Sequence, residues 1–129
     1  MIVDTSALIA ILLSEPERPV LEDKLAQDPY PRMSAATLLE AGIVVDSRRD
    51  PVATRLLDDL IVGSGLTIES VTYEQALIAR QAYRDFGRGS GHPAQLNFGD
   101  CFSYALARSQ DEELLFKGDD FNHTDIRPA

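Results

Sequence analysis

The chain has one cysteine, two histidines and no tryptophan. A single thiol, Cys101, excludes an intrachain disulfide, and with only His92 and His123 beside it a structural Cys/His zinc site is not expected. Basic residues are scarce as well. Twelve Lys and Arg against 21 Asp and Glu give a formal net charge of −9. Bulk charge of this sign repels nucleic acid, whose phosphates need cationic contacts. Such a substrate would require metal ions or a local Lys/Arg patch, whereas a cationic partner suits the surface directly. No apolar run approaches about 18 residues, and no basic segment precedes the apolar start. Neither a membrane span nor a signal peptide is read, and a cytoplasmic location is expected. Internal repeats, low-complexity tracts and linkers are also missing. The length of 129 residues suits one domain, residues 1–129, with one core.

What is present is organised around Met1-Ile2-Val3-Asp4-Thr5-Ser6. An apolar run ends at a carboxylate, and small hydroxyl residues lead into helix spacing. This reads as a short buried strand with Asp4 at its carboxyl end, the edge at which open parallel sheets bind ligands. Thr5 to Leu13 suits a buried helix. Glu17 to Ala26 suits a second, with Val20, Leu21 and Leu25 inward. Arg32-Met33-Ser34 is a short strand. Ser34 to Arg49 is apolar around nearly its whole circumference, which predicts a buried helix. Asp50-Pro51 restarts a helix, with Leu56, Leu57, Leu60 and Ile61 inward and an end near Gly63 or Gly65. Leu66 to Val71 alternates as a strand. Thr72-Tyr73-Glu74-Gln75 reads as a capping box opening a helix to Phe86. Gly87 to Pro93 is a loop, Asn97 opens a helix running through Arg108, and Leu114 to Phe116 is a last buried strand. The tail from Asn122 is polar and irregular, with Ile126 able to pack. Helices alternating with few, short strands predict a three-layer α/β/α domain with a short, mostly parallel central sheet.

Four acids stand beside or within sequence that should be buried: Asp4, Glu40, Asp100 and Asp119. Isolated buried carboxylates are costly, but a cluster sharing a hard divalent cation is not, since such ions take oxygen ligands. Each acid also has a simpler reading. Asp4 can cap the helix after it, Glu40 can reach solvent or an arginine, Asn97 and Asp100 resemble a capping pair, and Asp119 and Asp120 suit a turn. Ser6 lacks a partner base and reads as a cap. Cys101 reads as core and His92 as an ordinary loop residue.

Val3-Asp4-Thr5-Ser6-Ala7, Ser34-Ala35-Ala36-Thr37-Leu38-Leu39-Glu40, Asn97-Phe98-Gly99-Asp100 and Phe116-Lys117-Gly118-Asp119-Asp120-Phe121 resemble, in order and over essentially the whole chain, the successive motifs of PIN-domain proteins. The likeness is greatest to VapC-type toxins of bacterial type II toxin–antitoxin pairs. The resemblance implies a PIN-like fold and a metal-dependent endoribonuclease using Mg2+ or Mn2+. It also implies an RNA substrate, a homodimer and a cognate VapB-type antitoxin. By motif, Asp4, Glu40 and Asp100 fall on the acidic triad and Asp119 on the more variable fourth acid, with Asp120 leaving that assignment open by one residue. Ser6 and Asn97 fall where supporting polar residues lie. Lys117, Arg80, Arg84 and Arg88 are candidate RNA contacts, the three arginines spaced at i, i+4 and i+8 on one helix side.

Two rivals remain at this level. A phosphoacceptor receiver domain also gathers carboxylates and a Lys at strand ends, but it would carry an acidic pair after the first strand, where Asp4 stands alone. An inactive PIN-like binding module would be expected to have lost acids that this chain keeps.

Overall fold

A computed structural model describes all 129 residues. Four short strands, β1 (Ile2–Val3), β2 (Arg32–Ser34), β3 (Thr67–Glu69) and β4 (Leu114–Leu115), form one sheet in the order β3-β2-β1-β4. Every pairing is parallel, with Ile2 opposite Arg32 and Leu114, and Met33 opposite Ile68. Six helices surround it: α1 (Thr5–Leu12), α2 (Arg18–Gln27), α3 (Ala35–Asp46), α4 (Pro51–Gly63), α5 (Tyr73–Phe86) and α6 (Phe98–Gln110). A 3-10 turn covers Asp120–His123. No helix is long and apolar enough to cross a membrane.

The pleat divides the core. Successive strand residues point to opposite faces, so Val3 and Leu115 join α1 to α4 on one side, while Ile2 and Leu114 join α5 and α6 on the other. This is the expected α/β/α layering. β1 and β4 are buried at every residue, on both faces of the sheet, which is why these two read as short apolar runs.

Several helix faces differ from the sequence expectation. α3 is not buried all round. Thr37, Ala41 and Val45, four residues apart, face the core, while Leu39 and Ile43 are 64% and 60% exposed. On α4 only Leu57 is fully buried, and Leu56 is 49% exposed; on α2 Leu21 and Leu25 are buried but Val20 is not. Neighbouring helix residues are rotated by about 100°, so of two adjacent apolar residues at the edge of the packed stripe one lies over the layer and the other turns to solvent. Thr72 caps α5 by accepting from the Gln75 N–H at 3.1 Å, which is one half of the expected capping box. The tail is better fixed than its polarity suggests: Phe121 and Ile126 are buried, and Pro128 bridges to Leu114.

Leu56 and Leu57 make a matched test of this register. Leu57→Ala should lower unfolding stability by about 2–5 kcal/mol, and Leu56→Ala by no more than about 0.5 kcal/mol. Urea denaturation of both reads it, and equal losses would contradict the placement of α4.

Candidate active site

Asp4 leaves the carboxyl end of β1 and is 3% exposed. As N-cap of α1 it accepts the Ser6 N–H at 2.9 Å on Oδ2. The Ser6 hydroxyl donates to the same oxygen at 2.6 Å and accepts the Lys117 N–H at 3.0 Å, tying β1 to the segment after β4. On the other oxygen, Oδ1, Asp4 accepts from Ser103 Oγ at 2.6 Å. Three donors therefore hold this carboxylate, two on Oδ2 and one on Oδ1. One acceptor position, on Oδ1, is left for anything outside the chain.

Ser103 and its neighbour Thr37 were not among the expected site residues. Both are almost fully buried, and their hydroxyls meet at 3.2 Å. A signal was available. Ser103 follows Asp100 by three and Thr37 precedes Glu40 by three, so each shares a helix face with an acid. Thr5 extends the set, with its hydroxyl shared between the Thr37 carbonyl at 3.3 Å and Glu40 Oε2 at 3.2 Å.

Glu40 projects from α3 toward the start of α6. Burial raises its carboxyl above the ordinary value, and the Asp4 charge adds to this. Gly99 permits the approach, because a Cβ there would lie 2.3 Å from Glu40 Oε2. Asp100 and Asn97 form a full capping box at α6. The Asn97 side chain accepts the Asp100 N–H at 2.9 Å, and Asp100 Oδ2 accepts the Asn97 N–H at 2.8 Å. The cap and the cluster are thus not alternatives. Burial pushes the Asp100 carboxyl up to about 6, with further push from the charges of Asp4, Asp120 and Glu40.

The fourth motif divides. Asp119 is exposed and held by Asn122 at 3.0 Å and His123 at 2.8 Å, contacts that lower its carboxyl below the ordinary range. Asp120, not Asp119, is the acid whose charge adds to the rise at Asp100, while Asp119 is engaged by Asn122 and His123. Lys117 is not free either, since its ammonium pairs with Glu15 and Glu17. α5 ends at Phe86 as expected, so Arg88 lies in the loop that follows. It lines the same cavity as Arg80 from the following loop, and Arg84 does not line it. Cys101 is buried, its thiol pushed up to about 11 by that burial, which suits core and not a nucleophile.

The arrangement joins hard oxygen donors whose charges repel. No three of the chain's His, Cys, Asp or Glu side chains are gathered closely enough to hold a metal ion among them. The donor set still fits Mg2+ or Mn2+ in an open mode, because Mg2+ keeps several waters and takes only one or two carboxylates. Asp4 Oδ1, Asp100 Oδ1 and Glu40 Oε1 each retain acceptor capacity toward it.

Two substitutions should act oppositely on the metal-free fold. The Asp100 carboxyl lies above its unfolded value of 3.8, so the stability it contributes is complete below that pH and lost as pH rises through about 6. At pH 7.5 in EDTA, Asp100→Asn should therefore melt about 3–8 °C higher, after allowing for about 0.3–1 kcal/mol of lost charge at the helix start. The gain should vanish near pH 4. Ser103→Ala strips a donor from a buried carboxylate and should cost about 1–3 kcal/mol. It should also weaken Mn2+ binding about tenfold, as loss of a ligand's supporting hydrogen bond does. Calorimetric titration with Mn2+ checks this, and an unchanged affinity would remove Ser103 from the site.

The PIN domain family model matches residues 1–127. Ribonuclease VapC28 of Mycobacterium tuberculosis is 58% identical over 129 residues, covering 100% of this chain and 97% of its own. Among solved structures, M. tuberculosis VapC20, described as a sarcin-ricin loop cleaving toxin, superposes with a TM-score of 0.76 over 99% of this chain and 97% of its own, at 18% identity. A toxin–antitoxin complex from Klebsiella pneumoniae superposes at 0.66 and 21% identity, over 93% of this chain and 88% of that one.

Proposed function

The chain belongs to the PIN-domain family, among its VapC ribonucleases, and we propose that it is a metal-dependent endoribonuclease toxin acting in the cytoplasm on RNA phosphodiester bonds. The observation that carries the catalytic reading is the placing of Glu40 and Asp100 near Asp4 at the carboxyl edge of the sheet, where burial and then the Asp4 charge raise both carboxyls.

Asp4 and Asp100 are the proposed ligands of Mg2+ or Mn2+, with Glu40 and Asp120 around them. When bound, the cation supplies charge neutralisation at the scissile phosphate and acidifies water beside it. Asp4 is fixed by Ser6, Ser103 and the α1 amide, so it can present one oxygen without reorganising. Glu40, with its raised carboxyl, is suited to orient the attacking water and accept its proton. Asp100 holds its place through the Asn97 cap. The reaction proposed is direct attack by water, because the Ser6 hydroxyl is committed to holding Asp4 and the Lys117 N–H.

A VapB-type antitoxin is the proposed inhibitor, its basic segment meeting the acidic site through Arg–carboxylate pairs. A homodimer is also proposed. The exposed apolar side of α3, with Leu39 and Ile43, supports it.

Purified protein free of antitoxin should cleave total cellular RNA with Mg2+ or Mn2+ and stop in EDTA. Asp4→Asn and Asp100→Asn should each lower the rate at least about 100-fold while the circular-dichroism spectrum stays intact. Undiminished cleavage by both, with contaminating nuclease excluded, would remove the mechanism. Light scattering at tens of micromolar should give a dimer, and a monomer there would overturn that part.

A further inference from the structure

We propose that the cavity between α5 and α6 binds an unpaired nucleobase of single-stranded RNA, stacked on Phe98, with Arg80 and Arg88 on the flanking phosphates. This rests on the ribonuclease reading above and adds to it how the strand is held beside the acids.

The cavity measures about 610 Å3 and is lined by Ala76, Arg80, Tyr83, Arg88, Phe98 and Phe102, among others. Phe98 is 78% exposed, an unusual state for a phenylalanine next to a catalytic carboxylate. Its ring meets Phe102 at 4.9 Å in a T-shaped arrangement, so Phe102 braces it without parallel stacking. The same ring also lines the adjoining cavity that contains Glu40 and Gly99 together with the exposed Leu39 and Ile43 of α3. One aromatic side chain thus separates the acid cluster from a pocket carrying two guanidinium groups.

Charge identifies the occupant. Six of the 12 Lys and Arg are tied into ion pairs with carboxylates, Lys117 among them. The other six include Arg80 and Arg88, whose guanidinium groups have no carboxylate or hydrogen-bond partner although acids outnumber bases by 21 to 12. Free cations beside an exposed ring are the combination that holds single strands, with the ring taking a base and the cations the backbone. A duplex keeps its bases stacked inside, so only an unpaired base can reach Phe98.

The test uses the full-length protein and a fluorescein-labelled, 12-nucleotide single-stranded RNA in EDTA, read by anisotropy. Phe98→Leu keeps bulk and apolarity but removes the π-face; it should weaken binding about tenfold, while Phe98→Tyr should bind as the parent does. An abasic nucleotide at one position of the strand should cost the parent a similar factor and Phe98→Leu nothing more. Arg80→Gln and Arg88→Gln should each lower the slope of log affinity against log salt by about 0.7, a slope Phe98→Leu leaves alone. Equal affinity of Phe98→Leu and the parent overturns the inference, and if the parent still cleaves total RNA the ribonuclease reading stands without it. Loss of self-association in Phe98→Leu, seen by sedimentation velocity with RNA affinity unchanged, assigns the ring to a second copy and likewise overturns it. A parent that neither binds nor cleaves RNA overturns both.

Discussion

Everything at the sheet's carboxyl edge depends on how the Asp4 carboxylate is held. It is almost wholly buried, where an unsatisfied charge is costly, and the fold meets that cost with local and distant donors. The α1 amide and the Ser6 hydroxyl come from the next turn of chain, while Ser103 comes from α6, 99 residues away. Through Ser6 the same group reaches the segment after β4. One carboxylate thereby fastens β1, α1, α6 and the fourth motif together. The oxygens it spends on the protein decide what it can offer a cation.

The surrounding acids follow the opposite logic. Glu40 and Asp100 are buried near Asp4 with too few donors to balance them, and both carboxyls rise, chiefly through burial and further through the Asp4 charge. Such strain at a polar cluster is characteristic of sites built for a ligand that supplies the missing charge. The Asn97–Asp100 capping box shows that one side chain can satisfy a helix end and still face the cluster, since a carboxylate has more acceptor positions than a cap uses.

The charge distribution also explains how a chain of net charge −9 can be suited to RNA. Cations near the acids, such as Lys117, are engaged by Glu15 and Glu17, whereas those on the α5 side stay unpaired. A strand can approach from that side, with a divalent ion offsetting the acids at the scissile bond. The acidic remainder of the surface favours a basic protein partner.

Much of this was legible in the sequence. The alternation of elements, the strand at Ile2–Val3 ending in Asp4, the caps at Asp50, Thr72 and Asn97, and the acids Asp4, Glu40 and Asp100 are all written in local pattern, because periodicity and capping act over a few residues. The family motifs were equally readable, since each is a short contiguous string. The tertiary structure alone decided which side of α3 faces out, because an apolar circumference carries no direction until a layer packs against it. It alone gave Asp119 and Asp120 different surroundings, Asp119 engaged by Asn122 and His123 and the Asp120 charge acting on Asp100. It alone joined Ser103 to Asp4 and placed Arg88, from its loop, beside Phe98. Contacts across 99 residues of chain are made by packing, and no local rule of spacing reaches that far.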